Sequence, residues 1–479
     1  MKKSILLFLA LLPALGALAQ WWPEVRVTND PNISNTSLRR CLAASGDTVH
    51  LAWSDDCMPF PTIHYTRSLD AGLNWDTEQM LTPGDSLAEE PCIVSAGNMV
   101  HIVWYTCENN TSLYNEIAYM RSTDGGVTWE NKIQLTNYGG LKWYPSIAVS
   151  GNYVHIVWYD ECNGDWEVYY IRSTDYGATW EEKVRLTNQY DISAYCSVAA
   201  SGPLVHVVWH DWRDGNKEVY YKRSADNGIT WGEDTRLTFA DLDSRFAEIA
   251  ASGQYVQIAW QDNRDGDYDL YTINSTDGGQ SWGTEQRQTY ESSSSEFVDL
   301  AVEGQNAYMV WQDNISGLYQ IYCKTSQDYG TTWSVPERIL NTVYDANYAS
   351  VAFSGEWLHV IWTDQRDGNN EVYCKNKFIE NPIGINDLAK NDGMMELSIY
   401  PNPASSQISV FSRRSAGGGQ QFAYSMTISN FQGQSLKEFR NICSFPYLID
   451  ISDLEDGMYI LQVRCEDGKS SSKKLLKTE

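Results

Sequence analysis

From residue 24 to residue 377 the chain is written in short runs of alternating apolar and polar positions, four runs to a unit and seven units in succession. A period of two over four to eight residues, bounded by Gly, Asp and Asn, predicts β-strands with one buried face. The first run of each unit, strand a, is of the type SIAVSG, with CLAASG, SVAASG, EIAASG and SVAFSG as variants. Strand b is of the type VHIVW and ends on Trp53, Trp104, Trp158, Trp209, Trp260, Trp311 or Trp362. Strand c is of the type EVYYIRS, and strand d of the type VRLTN. A four-strand unit of about 50 residues repeated in tandem predicts a propeller with one blade per unit.

Six units join c to d by one turn: SLDAGLNW from Ser68, STDGGVTW from Ser122, STDYGATW from Ser173, SADNGITW from Ser224, STDGGQSW from Ser275 and SQDYGTTW from Ser326. Successive serines are 54 and then 51 residues apart. Glycine supplies the positive φ of a tight turn, the Asp carboxylate accepts backbone N–H groups within it, and Trp covers it with apolar area. Asp70, Asp124, Asp175, Asp226, Asp277 and Asp328 are therefore expected to be structural, not catalytic. The seventh c strand, EVYCKNK from Glu371, runs into unrelated sequence, but EVRVTN at residues 24–29 matches strand d and precedes the first strand a. The expected fold is an all-β, seven-bladed propeller whose N-terminal strand closes the last blade and leaves no open edge.

These turns resemble the Asp-box, or bacterial neuraminidase repeat, of the sialidase superfamily. The likeness covers residues 24–377, with Asn74 where Thr or Ser is usual in the first copy. Asp-boxes also occur in non-sialidase glycosidases, sorting receptors and photosystem assembly factors, so the resemblance implies a fold more firmly than a reaction. Typical sialidases have six blades, and seven is a departure. For an enzyme the resemblance implies three arginines on a substrate carboxylate, a Tyr nucleophile paired with Glu, and an Asp acid/base. The family's Arg-Ile-Pro signature is absent; Arg39 and Arg40 stand near its place in LRRCLA, and no catalytic role is carried onto them.

Beyond Lys377, FIENPIGINDLAKNDG reads as a linker, and the alternating runs from Leu397 and Tyr447 predict a small β-sandwich. Its YPNP and DGMYILQV stretches and basic end from Lys473 resemble the C-terminal sorting domain of type IX secretion substrates in Bacteroidota. That resemblance implies the type IX machinery as a partner and a secreted or outer-membrane surface-attached protein. KKSILLFLALLPALGALAQ at residues 2–20 reads as a cleaved secretory signal, and no later run is long and apolar enough to span a bilayer. The expected organisation is 1–19 signal peptide, 20–377 propeller, 378–393 linker and 394–479 sorting domain.

Residues 21–380 hold 23 basic against 51 acidic residues, a net charge of −28. Such a field repels nucleic acid, anionic membranes and polyanionic glycans unless a local basic site overrides it. Among ten cysteines, Cys57, Cys107 and Cys162 follow equivalent tryptophans, so two could bridge neighbouring loops, and Cys443 could pair with Cys465; buried or free thiols are the alternative.

In an antiparallel blade the c–d turns share a face with the a–b turns, so a ligand is expected at the centre of the opposite face, among the b–c loops. Three of these loops carry Arg-Asp-Gly, at Arg213, Arg264 and Arg366. They read either as an array for a carboxylate-bearing ligand or as repeated hairpins in which Arg pairs with flanking acids. Asp262, Asp265, Asp267 and Asp269 crowd one loop as candidate calcium ligands, though without the Gly and bidentate Glu of an EF-hand; otherwise no cofactor is expected. Five histidines, His50, His101, His155, His206 and His359, fill a slot held by Gln257 and Tyr308 in the other blades, which marks a packing position. Trp143, Trp166 and Trp212 stand outside the repeat on the candidate face, as platforms for sugar stacking or as loop packing. Two functions follow: an exported module that binds an extracellular glycan or surface protein without turnover, or a sialidase-like exo-glycoside hydrolase.

Overall fold

The computed structural model describes residues 21–379 apart from 57–59, 85–86, 108–113, 138, 162–163, 189, 341 and 356, and then 395–400, 406–414, 424–430, 434–442, 447–465 and 470–477. The expected signal segment, Cys57, Cys162, Cys443 and most of the linker lie outside the described residues. Two compact units are present, Ala19–Ile379 and one built on Glu380–Glu479.

The first unit is the seven-bladed propeller. Blade 3 shows the pattern, with a Lys142–Ser150, b Tyr153–Asp160, c Glu167–Ser173 and d Val184–Arg185 in one antiparallel sheet. In blade 7, strands Ala346–Ser354, Trp357–Asp364 and Glu371–Phe378 are completed by Val25–Arg26 from the N-terminal end of the described chain, Val25 opposite Cys374 and Arg26 opposite Tyr373. The a strands pack side by side around the ring until blade 7 meets blade 1. They enclose a channel of about 190 Å³ lined by small side chains such as Ala148, Ala199, Ala250 and Ala301. All seven b-strand tryptophans are buried, each in the core between its own sheet and a neighbour.

The Asp-boxes hold the blades to one another. Asp124 accepts Thr128 N at 2.8 Å and Thr128 Oγ1 at 2.6 Å, while Gly126 N donates to Ser122 Oγ at 2.8 Å. Asn74 serves in the first copy because its Nδ2 reaches Asp70 at 2.7 Å, where the others use a hydroxyl. From the preceding blade, Arg121 donates to Tyr176 O at 2.7 Å, Arg172 to Asn227 O at 2.7 Å and Arg223 to Gly278 O at 2.8 Å. Blade 7 uses Asn376 on Gly72 O at 3.2 Å, which locks the ring across its closure. Each turn also covers a tyrosine of the preceding blade: Trp180 packs edge-on against Tyr119 at 4.8 Å and Trp231 against Tyr170 at 4.9 Å. The histidine slot lies beneath, His101 Nδ1 meeting Tyr119 OH at 2.6 Å and His155 Nδ1 meeting Tyr170 OH at 2.7 Å.

This stacking explains the invariant turn glycine. Gly177 has φ 81°, and a Cβ there would fall on the Tyr119 hydroxyl and 2.8 Å from its Cζ. Gly177→Ala is expected to destabilise the propeller by about 3 kcal/mol, the sum of an L residue at positive φ and an overpacked contact. Tyr119→Phe in the same chain should recover part of that loss in a double-mutant unfolding cycle; strictly additive losses would show that the glycine is not making room for the hydroxyl.

The second unit has two sheets, one of Met395–Tyr400, Gln407–Arg414 and Tyr447–Asp450, the other of Ser435–Ile442, Tyr424–Ser429, Gly457–Cys465 and Ser470–Lys477. Ile408, Val410 and Ile449 from the first share one core with Met426, Leu461 and Leu475 from the second, as alternating strands in a sandwich require. No helix among the described residues is long and apolar enough to cross a membrane. Within the propeller Cys41, Cys92, Cys196, Cys323 and Cys374 are buried, and burial pushes the Cys92 thiol up to about 11 and Cys196 up to about 12.

Candidate functional site

The face opposite the Asp-boxes is shaped by one irregularity repeated in six blades. Strand a carries a β-bulge between Glu89 and Cys92, Trp143 and Ser146, Ala194 and Ser197, Arg245 and Glu248, Glu296 and Asp299, and Asn347 and Ser350. Inside each bulge one non-glycine residue takes a left-handed φ: Glu90 at 53°, Tyr144 at 47°, Tyr195 at 53°, Phe246 at 51°, Phe297 at 51° and Tyr348 at 52°. Each such residue costs about 1–2 kcal/mol, and bulges of this kind re-aim side chains. Here they form a collar on the innermost strands. Ring centroids follow one another at 5.1 Å (Tyr144 to Tyr195), 4.6 Å (to Phe246), 5.7 Å (to Phe297) and 5.4 Å (to Tyr348).

Blades 1 and 2 complete the circle with charge. Arg39 is buried and its Nη1 bonds Glu248 of blade 5; Glu248 also accepts Ser197 Oγ at 2.7 Å. Arg40 donates to Leu300 O at 3.1 Å. Glu90 accepts Ser37 Oγ at 2.7 Å and Leu38 N at 3.0 Å, and burial raises its pKa. The Arg39–Glu248 pair thus links blade 1 to blade 5 across the ring.

A concavity lies around blade 4. A cleft of about 400 Å³ is walled by Trp143, Trp166 and Trp212, which the sequence singles out, together with Tyr159, Tyr195 and Phe246. Tyr195 and Phe246 belong to the collar, so cleft and collar form one aromatic surface. The walls are mutually braced: Trp166 lies edge-on to Tyr159 at 5.2 Å, and Tyr159 lies 5.3 Å from Tyr195. Trp212 is 40% exposed, with Lys217 Nζ 5.2 Å above its ring. His210 stacks on Tyr195 at 5.0 Å, and burial, with Lys217, Arg39 and Arg245 nearby, pulls its pKa down to about 3, so the imidazole is neutral. Among the described residues, Lys217 and Arg245 line the cleft and no carboxylate does. Such a site offers apolar faces with a few polar groups, the usual composition of a ligand pocket.

The three Arg-Asp-Gly arginines stay in their own blades. Arg213 bonds Asp211 at 2.6 Å and Asp234 at 2.9 Å, and lies over Tyr220. Arg264 bonds Asp262 at 2.5 Å and Glu285 at 2.7 Å, over Tyr271. Arg366 bonds Asp364 at 2.5 Å and Glu24, over Tyr373. They take the hairpin form and make no shared array. The four candidate calcium ligands lie in the same kind of surroundings. Asp262 faces Arg264, Asp265 and Asp269 face Arg287 at 3.3 and 2.6 Å, and the described residues contain no group of three or more candidate metal-ligating side chains. Asp267 completes no such group. His210, Lys217, Arg245 and the collar were not singled out from sequence. The collar had a signal: Tyr144, Tyr195, Phe246, Phe297 and Tyr348 each stand three residues before the first apolar residue of strand a, 51 residues apart.

Comparison with known proteins agrees with this architecture. Residues 59–298, half of the chain, match the BNR repeat-like domain, and residues 398–478 match the secretion system C-terminal sorting domain. Xyloglucanase Xgh74A of Acetivibrio thermocellus is 26% identical over 245 residues, which make up 45% of this chain but only 28% of that protein. Among solved structures, the polysaccharide lyase Uly1 is similar with a TM-score of 0.50 at 11% identity, over 74% of this chain and 92% of that one. Trypanosoma rangeli sialidase is similar with a TM-score of 0.41 at 13% identity, over 83% of this chain and 85% of that one. At 11% identity the lyase structure speaks for the fold alone. The chain belongs to the BNR repeat-like domain family, joined to a type IX secretion sorting domain that directs it out of the cell or onto the outer-membrane surface.

Proposed function

We propose that the propeller is a glycan-binding module that holds an extracellular polysaccharide on the b–c face without turnover. The observation that carries this reading is the cleft, where Trp143, Trp166 and Trp212 meet two collar rings and, among the described residues, no carboxylate lines the wall. Similarity to a xyloglucanase over part of its length supports a polysaccharide as ligand. Hydrolysis in the sialidase manner is disfavoured, because Arg213, Arg264 and Arg366 are paired within separate blades and Arg39 is buried against Glu248.

The test is binding of the mature chain to a glycan array, followed by calorimetry on the hits and assay of a fluorogenic sialoside. Trp166→Ala and Trp212→Ala are each expected to weaken binding about thirtyfold, roughly 2 kcal/mol for an aromatic anchor, with unchanged unfolding. Sialoside turnover that disappears in Tyr195→Phe would replace this reading with an enzyme. Binding to no glycan would move it to a protein partner.

A further inference from the structure

The propeller is short of cations, with 23 basic residues against 51 acidic ones, so its arginines have acids or carbonyls at hand. Among the described residues of the propeller, Arg245 stands apart. Every other arginine there has a hydrogen bond or ion pair; Arg245 has neither, and its Nε is buried without a partner. Its guanidinium is fixed by stacking, 3.9 Å from the Tyr268 centroid and 4.9 Å from that of Phe246, and it lines the cleft. The residue opposite it on strand b, Gln261, is fully buried, and neither its side-chain oxygen nor its nitrogen has a protein partner.

The neighbouring acids are engaged elsewhere. Asp243 accepts Lys217 N and Nζ, both at 3.1 Å, and Glu296 accepts Tyr319 OH at 3.0 Å. Two cations therefore share the cleft while one of them holds the nearby carboxylate. An unpaired guanidinium held flat between rings presents its N–H edge to an anion, and a pair of anionic oxygens is the group that matches it. In a domain whose overall field repels anions, this spot favours one.

We propose that the cleft selects an acidic sugar, Arg245 meeting the anionic group of the residue whose ring lies among Trp143, Trp166 and Trp212. This rests on the glycan-binding reading above and adds to it a ligand class. The shared chemistry is a carboxylate or sulfate ester on a pyranose.

The experiment is calorimetry of the full mature chain against three tetrasaccharides: one of uronic acid residues, one sulfated on neutral sugars and one uncharged. At least one acidic ligand is expected to bind tenfold or more tightly than the uncharged one, with an advantage that shrinks as salt rises, and the stronger of the two identifies the anion. Arg245→Gln should abolish that advantage by weakening the acidic ligand at least tenfold more than the uncharged one. Arg245→Lys should restore part of it. Equal affinity for acidic and uncharged ligands, or equal losses for both in Arg245→Gln, would overturn the selectivity and leave glycan binding standing. Binding in none of the three arms overturns the selectivity, and failure on the glycan array as well removes the reading beneath it.

Discussion

Acidification from pH 7.5 to pH 5 is expected to remove most of the propeller's stability. His50, His101, His155, His206 and His359 are buried, and desolvation pulls their pKa values down to about 4, 3, 3, 4 and 4. Four of them meet a tyrosine hydroxyl through Nδ1, His359 meets Asn376, and for His50, His155, His206 and His359 the Nε2 has no partner. Because each folded pKa lies below the unfolded value of about 6.5, the unfolded chain binds more protons. Stability is full above pH 6.5 and falls as pH drops toward 4. At pH 5 each histidine costs about 2 kcal/mol, and five of them approach the whole stability of an ordinary domain.

Other groups act in different windows. Asp124, Asp175 and Asp226 are depressed to about 2, chiefly by hydrogen bonds from their turn hydroxyls, so their contribution is present above pH 4 and lost only toward pH 2. Glu90 and Glu248 are raised by burial and take up protons in the folded state, which offsets part of the histidine effect. Urea unfolding followed by Trp fluorescence at pH 7.5, 6 and 5 measures the slope. His101→Gln, the residue blade 5 carries as Gln257, should lower that slope by about one proton at pH 5. A free energy unchanged between pH 7.5 and 5 would mean that the slot admits a charged ring.

The ring was readable from sequence because each of its parts is local. Alternation sets the strands, the turn motif joins c to d, and EVRVTN carries the strand d pattern wherever it stands. The Arg-Asp-Gly loops were ambiguous, and the pairing that decides them, Arg213 with Asp211 and Asp234, is made within one blade. What escaped was long-range or hidden by a bulge. Arg39 meets a residue 209 positions away, a contact no pattern announces. The collar was missed because a bulge turns Tyr195 and its equivalents out of the strand alternation, while Arg39 and Glu90 interrupt the aromatic column. Trp143, Trp166 and Trp212 were found for a simpler reason: they are tryptophans that the repeat does not use.

Removal of residues 21–28 is expected to open the ring and cost about 5 kcal/mol or more. Strand d is short, yet in blades 3, 4, 5 and 7 it closes a charged clamp on the first residue of strand c. In blade 7 Arg26 bonds Glu371 at 2.7 Å and Asp367 at 3.1 Å, and Thr28 bonds Glu371 at 2.5 Å. Blade 4 repeats this with Arg236 on Glu218 at 2.9 Å and Thr238 on the same carboxylate at 2.5 Å. Without Arg26 and Thr28, the fully buried Glu371 loses its cation, and an uncompensated buried charge costs about 3–5 kcal/mol by itself. The deletion also strips the backbone bonds from Trp22 N to Asn376 O and from Val27 N to Val372 O, both 2.8 Å, exposing a sheet edge. Asn376 latches blade 7 onto the Asp-box of blade 1, so damage at this edge reaches the seam where the ring closes. Arg26→Ala should show the clamp's share, about 3 kcal/mol, with the strand still present. A synthetic peptide of residues 21–30 added to the truncated chain should restore the melting transition in a concentration-dependent manner, as expected for a ligand that binds only the folded state. An unaltered melting temperature in the truncated chain would show that blade 7 is complete without its fourth strand.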